Sequence, residues 1–468
     1  MAESEVGAIL LAAGGSTRFG RPKQLLEWEG RPLVAHVADI IWMAGLSPIV
    51  VVGAEADAVI EALEGRPVQI LRNYRWQEGM STSVHVGLAA LPPTTQGALF
   101  LQVDQPYVTP NLLQALIQRW RESSPALVVP AWKGRRGSPV LFDRALFPQL
   151  AGVTGDAGGR TIIDEHLEDG ALFEVSDPLL LSDMDRPEDY ERLRAAVGEQ
   201  QPASLLSPLR TVVCDMDGVL WRGDRALPGL HAFFDLLREH ELDYMLVTNN
   251  ASRTPEQYVE KLAGLDVEVT AEHILTSALA AADYVAARAE PEALVYPIGG
   301  SGVEEALRSR GLRLSEGDRA DYVVVGWDRR LTWDKMATAT LLIRGGAHFV
   351  GTNPDRTFPS EAGLVPGAGA QLALLRAATD VEPTVMGKPE PVLYRQALER
   401  LGARAEESLM IGDRLDTDIL GGIRMGMPTA LVLSGVHAAN SIRSSPIHPD
   451  LVFEDLARLV EAWREALT

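Results

Sequence analysis

The chain has one cysteine, Cys214, in 468 residues, which excludes an intrachain disulfide and a metal cluster built on cysteines. It is also short of positive charge. Against 64 Asp and Glu there are 43 Lys and Arg, a net −21, which excludes an extended nucleic-acid or anionic-membrane surface but not a local basic pocket. No apolar run approaches the roughly 18 residues of a membrane span. The start carries Glu3 and Glu5 in place of the basic residues of a secretion signal. These absences predict a soluble, cytoplasmic protein with no nucleic-acid and no membrane partner; the oligomeric state stays open. Aromatic residues are few, at 6%, yet 46% of the chain is hydrophobic, enough for packed cores. The length suggests roughly three of them. Cys214 itself lies inside an apolar strand, on the face opposite its neighbour Asp215, and reads as a small buried residue.

Short apolar runs at 6–12, 48–52, 68–71, 98–103, 126–130 and 173–175 alternate with helical patterns at 33–44, 56–63, 82–91, 110–122 and 187–197. Strands separated by helices of this length predict a mostly parallel, doubly wound sheet. A polar, turn-rich stretch at 198–204 predicts a linker. The alternation then resumes, with strands expected at 211–215, 244–248, 409–412 and 429–433. Between these lies a block with its own strands at 294–298, 322–326 and 348–352. The expected fold class is α/β: two doubly wound, Rossmann-like domains, the second carrying an inserted α/β cap. The boundaries are a first domain at 1–197, a linker at 198–208 and a second domain at 209–468. The second divides into a core at 209–278 and 385–468 and a cap at 279–384.

The first strand runs into Leu11-Ala12-Ala13-Gly14-Gly15-Ser16-Thr17-Arg18-Phe19-Gly20-Arg21-Pro22-Lys23. Small residues let backbone N–H groups approach a polyphosphate, and Arg18 and Lys23 supply charge. Gly15 and Gly20 have Walker spacing, but Arg21-Pro22 stands where that loop has Lys and Ser or Thr. Taken alone, the segment is equally a structural turn. Asp104 ends an apolar strand where a divalent ion could be held. Asp183 and Asp185 precede a helix that opens with Pro187, and they fit either a helix cap or a metal ligand.

Together with Asn73, the 76–83 segment, Asp104-Gln105-Pro106, Arg136-Gly137-Ser138-Pro139-Val140 and Asp183 to Tyr190, this loop resembles the molybdenum-cofactor cytidylyltransferase family. That family lies within the MobA-like nucleotidyltransferases, and the resemblance spans residues 6–195. It implies a sheet that binds a nucleoside triphosphate with Mg²⁺ and joins its nucleotidyl group to a phosphorylated acceptor. By the same resemblance Leu11, Ala12, Ala13, Gly14 and Gly15 cradle the nucleotide, while Arg18 and Lys23 meet the triphosphate. Gly79, Ser81 and Ser83 line the nucleotide pocket, and Asp104 and Asp185 bind the metal. The resemblance, with Gln105 after Asp104, favours CTP as the nucleotide and implies molybdopterin as the acceptor. Ser138 departs from the histidine common in the family and leaves room for another acceptor.

In the second half, Asp215-Met216-Asp217-Gly218-Val219 is followed by Val247-Thr248-Asn249-Asn250, Gly387-Lys388-Pro389 and Ile411-Gly412-Asp413-Arg414-Leu415-Asp416-Thr417-Asp418. Residues two apart in a strand point the same way, so Asp215 and Asp217 project together from a strand's carboxyl end, where open α/β sheets place ligands. Each later motif also follows an apolar strand. The set resembles the haloacid dehalogenase superfamily, in the nitrophenylphosphatase-like branch with the large type IIA cap. Cap segments 299–303, 320–326 and 351–355 extend the likeness. The resemblance implies that Asp215 is the nucleophile and Asp217 the proton shuttle, with Thr248, Asn249 and Lys388 around the phosphate. It implies Mg²⁺ at Asp215, at Asp217 through its carbonyl, and at Asp413, with Asp418 supporting the metal or Lys388. The Gly299–Gly302 run (299–302) reads as a cap turn before a helix at 303–309.

The sequence thus predicts a bifunctional enzyme, a nucleotidyltransferase joined to a phosphatase. Two other readings stay open: transfer to a sugar or alcohol phosphate with a phosphatase of the same pathway, and a phosphatase fused to a nucleotide-binding sensor.

Overall fold

The computed structural model describes residues 5–16, 19–157, 159–175, 177–197, 202–360, 363–437, 442 and 445–467. The chain divides into two compact units, Met1–Gln200 and Gln201–Thr468. No helix among the described residues is long and apolar enough to cross a membrane.

In the first unit, strands β1 (Val6–Ala12), β2 (Pro48–Val52), β3 (Gln69–Arg72), β4 (Gly97–Gln102), β5 (Leu127–Trp132), β6 (Val140–Asp143) and β7 (Ala171–Glu174) form one sheet in the order β7-β5-β6-β4-β1-β2-β3. β1 pairs in parallel with β2 and β4. These central strands are apolar on both faces because helices cover both. Ile9, Val51, Ala98 and Phe100 meet one cluster, and the helix Leu33–Met43 is buried along most of its length. The helix Pro110–Ser123 begins where Thr109 Oγ1 accepts the Leu112 N–H and Pro110 takes the first turn, where its missing N–H costs nothing.

The strand β6 was not expected. β6 runs antiparallel between β4 and β5, so the sheet is mixed on that side. Its four residues are too few to show a period, and its hydrogen bonds are all to distant parts of the chain.

The second unit has a core sheet of β8 (Thr211–Asp215), β9 (Asp243–Thr248) and β10 (Ile274–Thr276) and a cap sheet of β11 (Leu294–Ile298), β12 (Arg313–Leu314), β13 (Tyr322–Val325), β14 (His348–Gly351) and β15 (Thr384–Val385). The chain then returns to the core as β16 (Ser408–Gly412), β17 (Thr429–Val432) and β18 (Leu451–Phe453). The core order is β10-β9-β8-β16-β17-β18, the cap order is β12-β11-β13-β14-β15, and every pairing is parallel. Alternation along β8 sends Val212 and Cys214 into one core cluster and Val213 into the other. Cys214 is a free, buried thiol whose pKa burial pushes well up.

Two boundaries differ from the sequence reading. Residues read as linker form a helix, Pro202–Leu206, with Leu206 buried in the core of the second unit. The cap sheet also runs one residue past its expected end, to Val385. The Gly299-Gly300 turn leads into the helix Ser301–Ser309, two residues longer at its start than expected.

Candidate active sites

In the first unit, β1 ends at Ala12 and the chain turns through Ala13 to Ser16. Buried Gln24 holds this turn, donating its amide to the carbonyls of Ala12 (2.9 Å) and Gly14 (2.7 Å). The Lys23 N–H donates to Ser16 Oγ at 3.0 Å. The same contacts bring the Lys23 ammonium over the strand ends, 3.0 Å from Asp104 Oδ2 and 3.4 Å from Asp185 Oδ1. Met184 donates its N–H to the Asp104 carbonyl (3.0 Å), which ties the 183–185 segment to β4. Asp189 Oδ2 accepts the N–H groups of Asp185 and Arg186, so capping falls to Asp189 and leaves Asp185 facing Lys23.

Asp104 Oδ1 is buried with no hydrogen-bond partner among the described residues. Burial raises the Asp104 pKa, Lys23 opposes that rise and Asp183 adds to it. An unpartnered buried carboxylate oxygen beside further acids fits a divalent cation.

Other residues singled out in this unit divide. Ala12 and Ala13 are buried, whereas Gly14 and Gly15 are exposed on the turn. Leu11 lines a cavity of about 630 Å³ together with Gln102, Gln105, Arg136, Ser138 and Asp183. Gly79 has φ +116°, and a Cβ there would meet Gly155 at 2.5 Å, so only glycine fits at the head of the helix Met80–Ala89. Ser81 and Ser83 are buried. The Ser83 hydroxyl accepts from Asn73 Nδ2 at 2.9 Å, which anchors the helix start. Arg18 lies outside the described residues.

In the second unit, Asp215, Thr248, Lys388 and Asp413 follow or end β8, β9, β15 and β16, all at the carboxyl edge of their sheets. Lys388 Nζ lies 2.5 Å from Asp215 Oδ1 and 2.7 Å from Asp418 Oδ1. One oxygen from each of Asp215, Asp413 and Asp418 falls within 4.8 Å of the others. Asp413 Oδ2 accepts the Val436 N–H at 2.7 Å, while its Oδ1 is buried without a partner among the described residues. A Cβ on Gly218 would meet Asp413 Oδ2 at 2.5 Å, so the backbone passes this carboxylate only as glycine.

Three buried carboxylates against one ammonium leave negative charge uncompensated, which a hard cation would balance. Burial drives the Asp215 pKa well up, Lys388 pulls it back, and Asp418 and Asp413 raise it further. Burial, then Asp418, brings Asp413 to about 7. Burial works against the Lys388 ammonium, but Asp215 and Asp418 together hold its pKa above the ordinary value.

Two further side chains are taken up by neighbouring residues. The Asp217 side chain stands outside the carboxylate group: it is exposed, and its Oδ1 accepts from Trp221 Nε1 at 2.7 Å. The Asn249 side chain is spent on the protein. It donates to the Lys388 carbonyl (2.9 Å) and to Asp355, and accepts the Lys388 N–H (2.7 Å). Its neighbour Asn250, which sequence reasoning did not single out, is half-buried on the cavity wall. Asn250 Oδ1 accepts from Ser252 N–H and Oγ–H, which leaves its NH₂ as a donor with no described partner. The repeated Asn was the available signal; the contacts with Lys388 and Asp355 on one side and Ser252 on the other separate the two. The cavity, of about 1540 Å³, is lined on the cap side by Trp327 and Phe358, stacked 3.9 Å apart.

Comparison with known proteins agrees with this division. Residues 8–170 match the family described as MobA-like NTP transferase domain. Residues 212–313 match haloacid dehalogenase-like hydrolase, and 385–459 match a related haloacid dehalogenase hydrolase-like description. An acid sugar phosphatase of Staphylococcus aureus is 41% identical over 247 residues, 53% of this chain and 95% of that protein. Among solved structures, p-nitrophenyl phosphatase from Archaeoglobus fulgidus is 34% identical with a TM-score of 0.53, covering 54% of this chain and 99% of that one. 4-Nitrophenylphosphatase from Thermotoga maritima is 31% identical with a TM-score of 0.53, covering 55% and 98%. The chain therefore belongs, through its second unit, to the haloacid dehalogenase-like hydrolases of the nitrophenylphosphatase-like branch, and carries a MobA-like NTP transferase domain ahead of it.

Proposed function

We propose that the two units catalyse separate reactions: the first transfers a nucleotidyl group from CTP to molybdopterin with release of pyrophosphate, and the second hydrolyses phosphomonoesters through an aspartyl-phosphate. The observation that carries the second reaction is the Lys388 ammonium between Asp215 and Asp418, at 2.5 and 2.7 Å. It presents a nucleophilic carboxylate next to the charge that a phosphoryl group needs.

Asp215 attacks phosphorus while the bond to the leaving oxygen breaks, and Asp217 gives that oxygen its proton. Asp217 then takes a proton from the water that releases phosphate from Asp215. Thr248, the Asn250 amide and Lys388 hold the phosphoryl oxygens. Asp215, Asp413 and the Asp217 carbonyl would hold Mg²⁺, with Asp418 fixing Lys388. Bound there, the ion would neutralise charge on the phosphoryl oxygens.

In the first unit, Asp104 and Asp185 would hold Mg²⁺ and Lys23 would neutralise the triphosphate, so that catalysis is positioning and charge balance. The adjoining cavity, lined by Leu11, Gln105 and Ser138 among others, would take the acceptor. Ser138 on its wall and the naming of the Staphylococcus relatives as acid sugar phosphatases favour a second reading, in which sugar phosphates serve both units.

Asp215→Asn should abolish hydrolysis of p-nitrophenyl phosphate and spare CTP-dependent pyrophosphate release; Asp104→Ala should do the reverse. Loss of both activities from either substitution would sink the two-site reading. Assays of the nucleoside triphosphates with molybdopterin and with sugar phosphates separate the two acceptor classes.

A further inference from the structure

We propose that Trp221 is the positioning residue for the proton carried by Asp217, and that it fits the second unit to alkyl phosphomonoesters, whose leaving oxygen needs a proton. The inference rests on the reading of Asp217 as general acid. Asp217 is exposed, and a solvated aspartate is free to change rotamer or to turn toward a nearby cation. Trp221 is fully buried, and its Nε1 lies 2.7 Å from Asp217 Oδ1. The backbone closes the same loop, since Gly218 donates its N–H to the Trp221 carbonyl at 2.8 Å.

The indole is itself held. The Tyr258 ring lies nearly parallel to it (21°) with centroids 6.3 Å apart, and the Lys261 ammonium sits 4.3 Å from its centroid. A cation over the ring draws electron density from the indole and makes its N–H a stronger donor.

Two consequences follow for Asp217. The side chain is kept out of the group formed by Asp215, Asp413 and Asp418. Because Oδ1 accepts from an N–H that has no acceptor capacity, the transferable proton resides on Oδ2. In the first step the Asp215–phosphorus bond forms, the phosphorus–oxygen bond breaks, and the Oδ2 proton passes to the departing oxygen; the indole keeps its own proton. A nitrophenolate leaves without that proton, whereas an alkoxide does not.

The test is kcat/KM, which covers events up to phosphoenzyme formation, measured on ribose 5-phosphate and on p-nitrophenyl phosphate. Trp221→Phe should lower the ratio of the two values about tenfold or more, within the range of general-acid catalysis. Site-specific 3-benzothienyl-alanine at 221 keeps the outline of the indole and replaces only the N–H. It should lower the ratio in the same way, and it decides the matter if Trp221→Phe does not fold. An unchanged ratio in the benzothienyl protein, or an equal fall on both substrates, overturns the proposal. Asp217→Asn is the control for the reading beneath it. If that substitution leaves the ratio unchanged, the general-acid role fails; if it lowers the ratio while the benzothienyl protein does not, only the role of Trp221 fails.

Discussion

Asp413 is held at about 7 because burial and the Asp418 charge disfavour its ionised form. A folded pKa above the ordinary carboxylate value means that ionisation costs stability. That stability is intact below the unfolded pKa and fades as pH rises through about 7. A divalent cation among Asp215, Asp413 and Asp418 would offset the cost, and more so where the carboxylates are ionised. The rise in melting temperature of the second unit on adding saturating Mg²⁺ should therefore be larger near pH ~8 than near pH ~5.5. A rise that is equal at both, or larger in acid, would show that Asp413 does not ligate the ion. At this scale the sequence located the participants and left their partners undetermined. Asp215, Lys388 and Asp413 are legible because each ends or follows an apolar run. Which of Asn249 and Asn250 keeps a free donor, and that Trp221 takes up Asp217, depend on contacts made across turns.

Asn249 joins three elements. Its side chain bonds both the N–H and the carbonyl of Lys388 and reaches Asp355, and its carbonyl accepts from Ser277 and Asn353. The loop after β9 is thereby fixed to the loop after β15 and to the segment after β14. Replacing Asn249 by Ala leaves the buried Lys388 N–H and carbonyl unsatisfied. It should cost about 1–3 kcal/mol in urea unfolding of the second unit. Phosphatase activity should fall with it through misplacement of Lys388, and full stability in the variant would contradict this role. Elements were most legible where an apolar run is long: β1, β2, β8 and β11 have the bounds expected from sequence. β6 and the helix Pro202–Leu206 were not foreseen, since four or five residues carry too little pattern. Both are held by packing or pairing with distant residues.

Each unit closes its own sheet and core, and the S. aureus relative matches 53% of the chain and 95% of its own length. Residues 202–468 expressed alone should fold cooperatively and hydrolyse p-nitrophenyl phosphate about as fast as the whole chain, as measured by steady-state kinetics. Failure to fold would mean that the second core needs the first unit. The sequence by itself determined the alternation of the long strands and helices and the two motif sets, because periodicity and chain-local motifs need no partner. It also placed carboxylates at strand ends, since alternation in a strand is local. Tertiary structure alone decided the rest: the Lys388–Asp418 pair, the unpartnered oxygens of Asp104 and Asp413, the Trp221 bond to Asp217 and the strand β6 between β4 and β5. Those depend on distances between residues far apart in the chain, which are fixed only once the sheets have closed and the cores have packed.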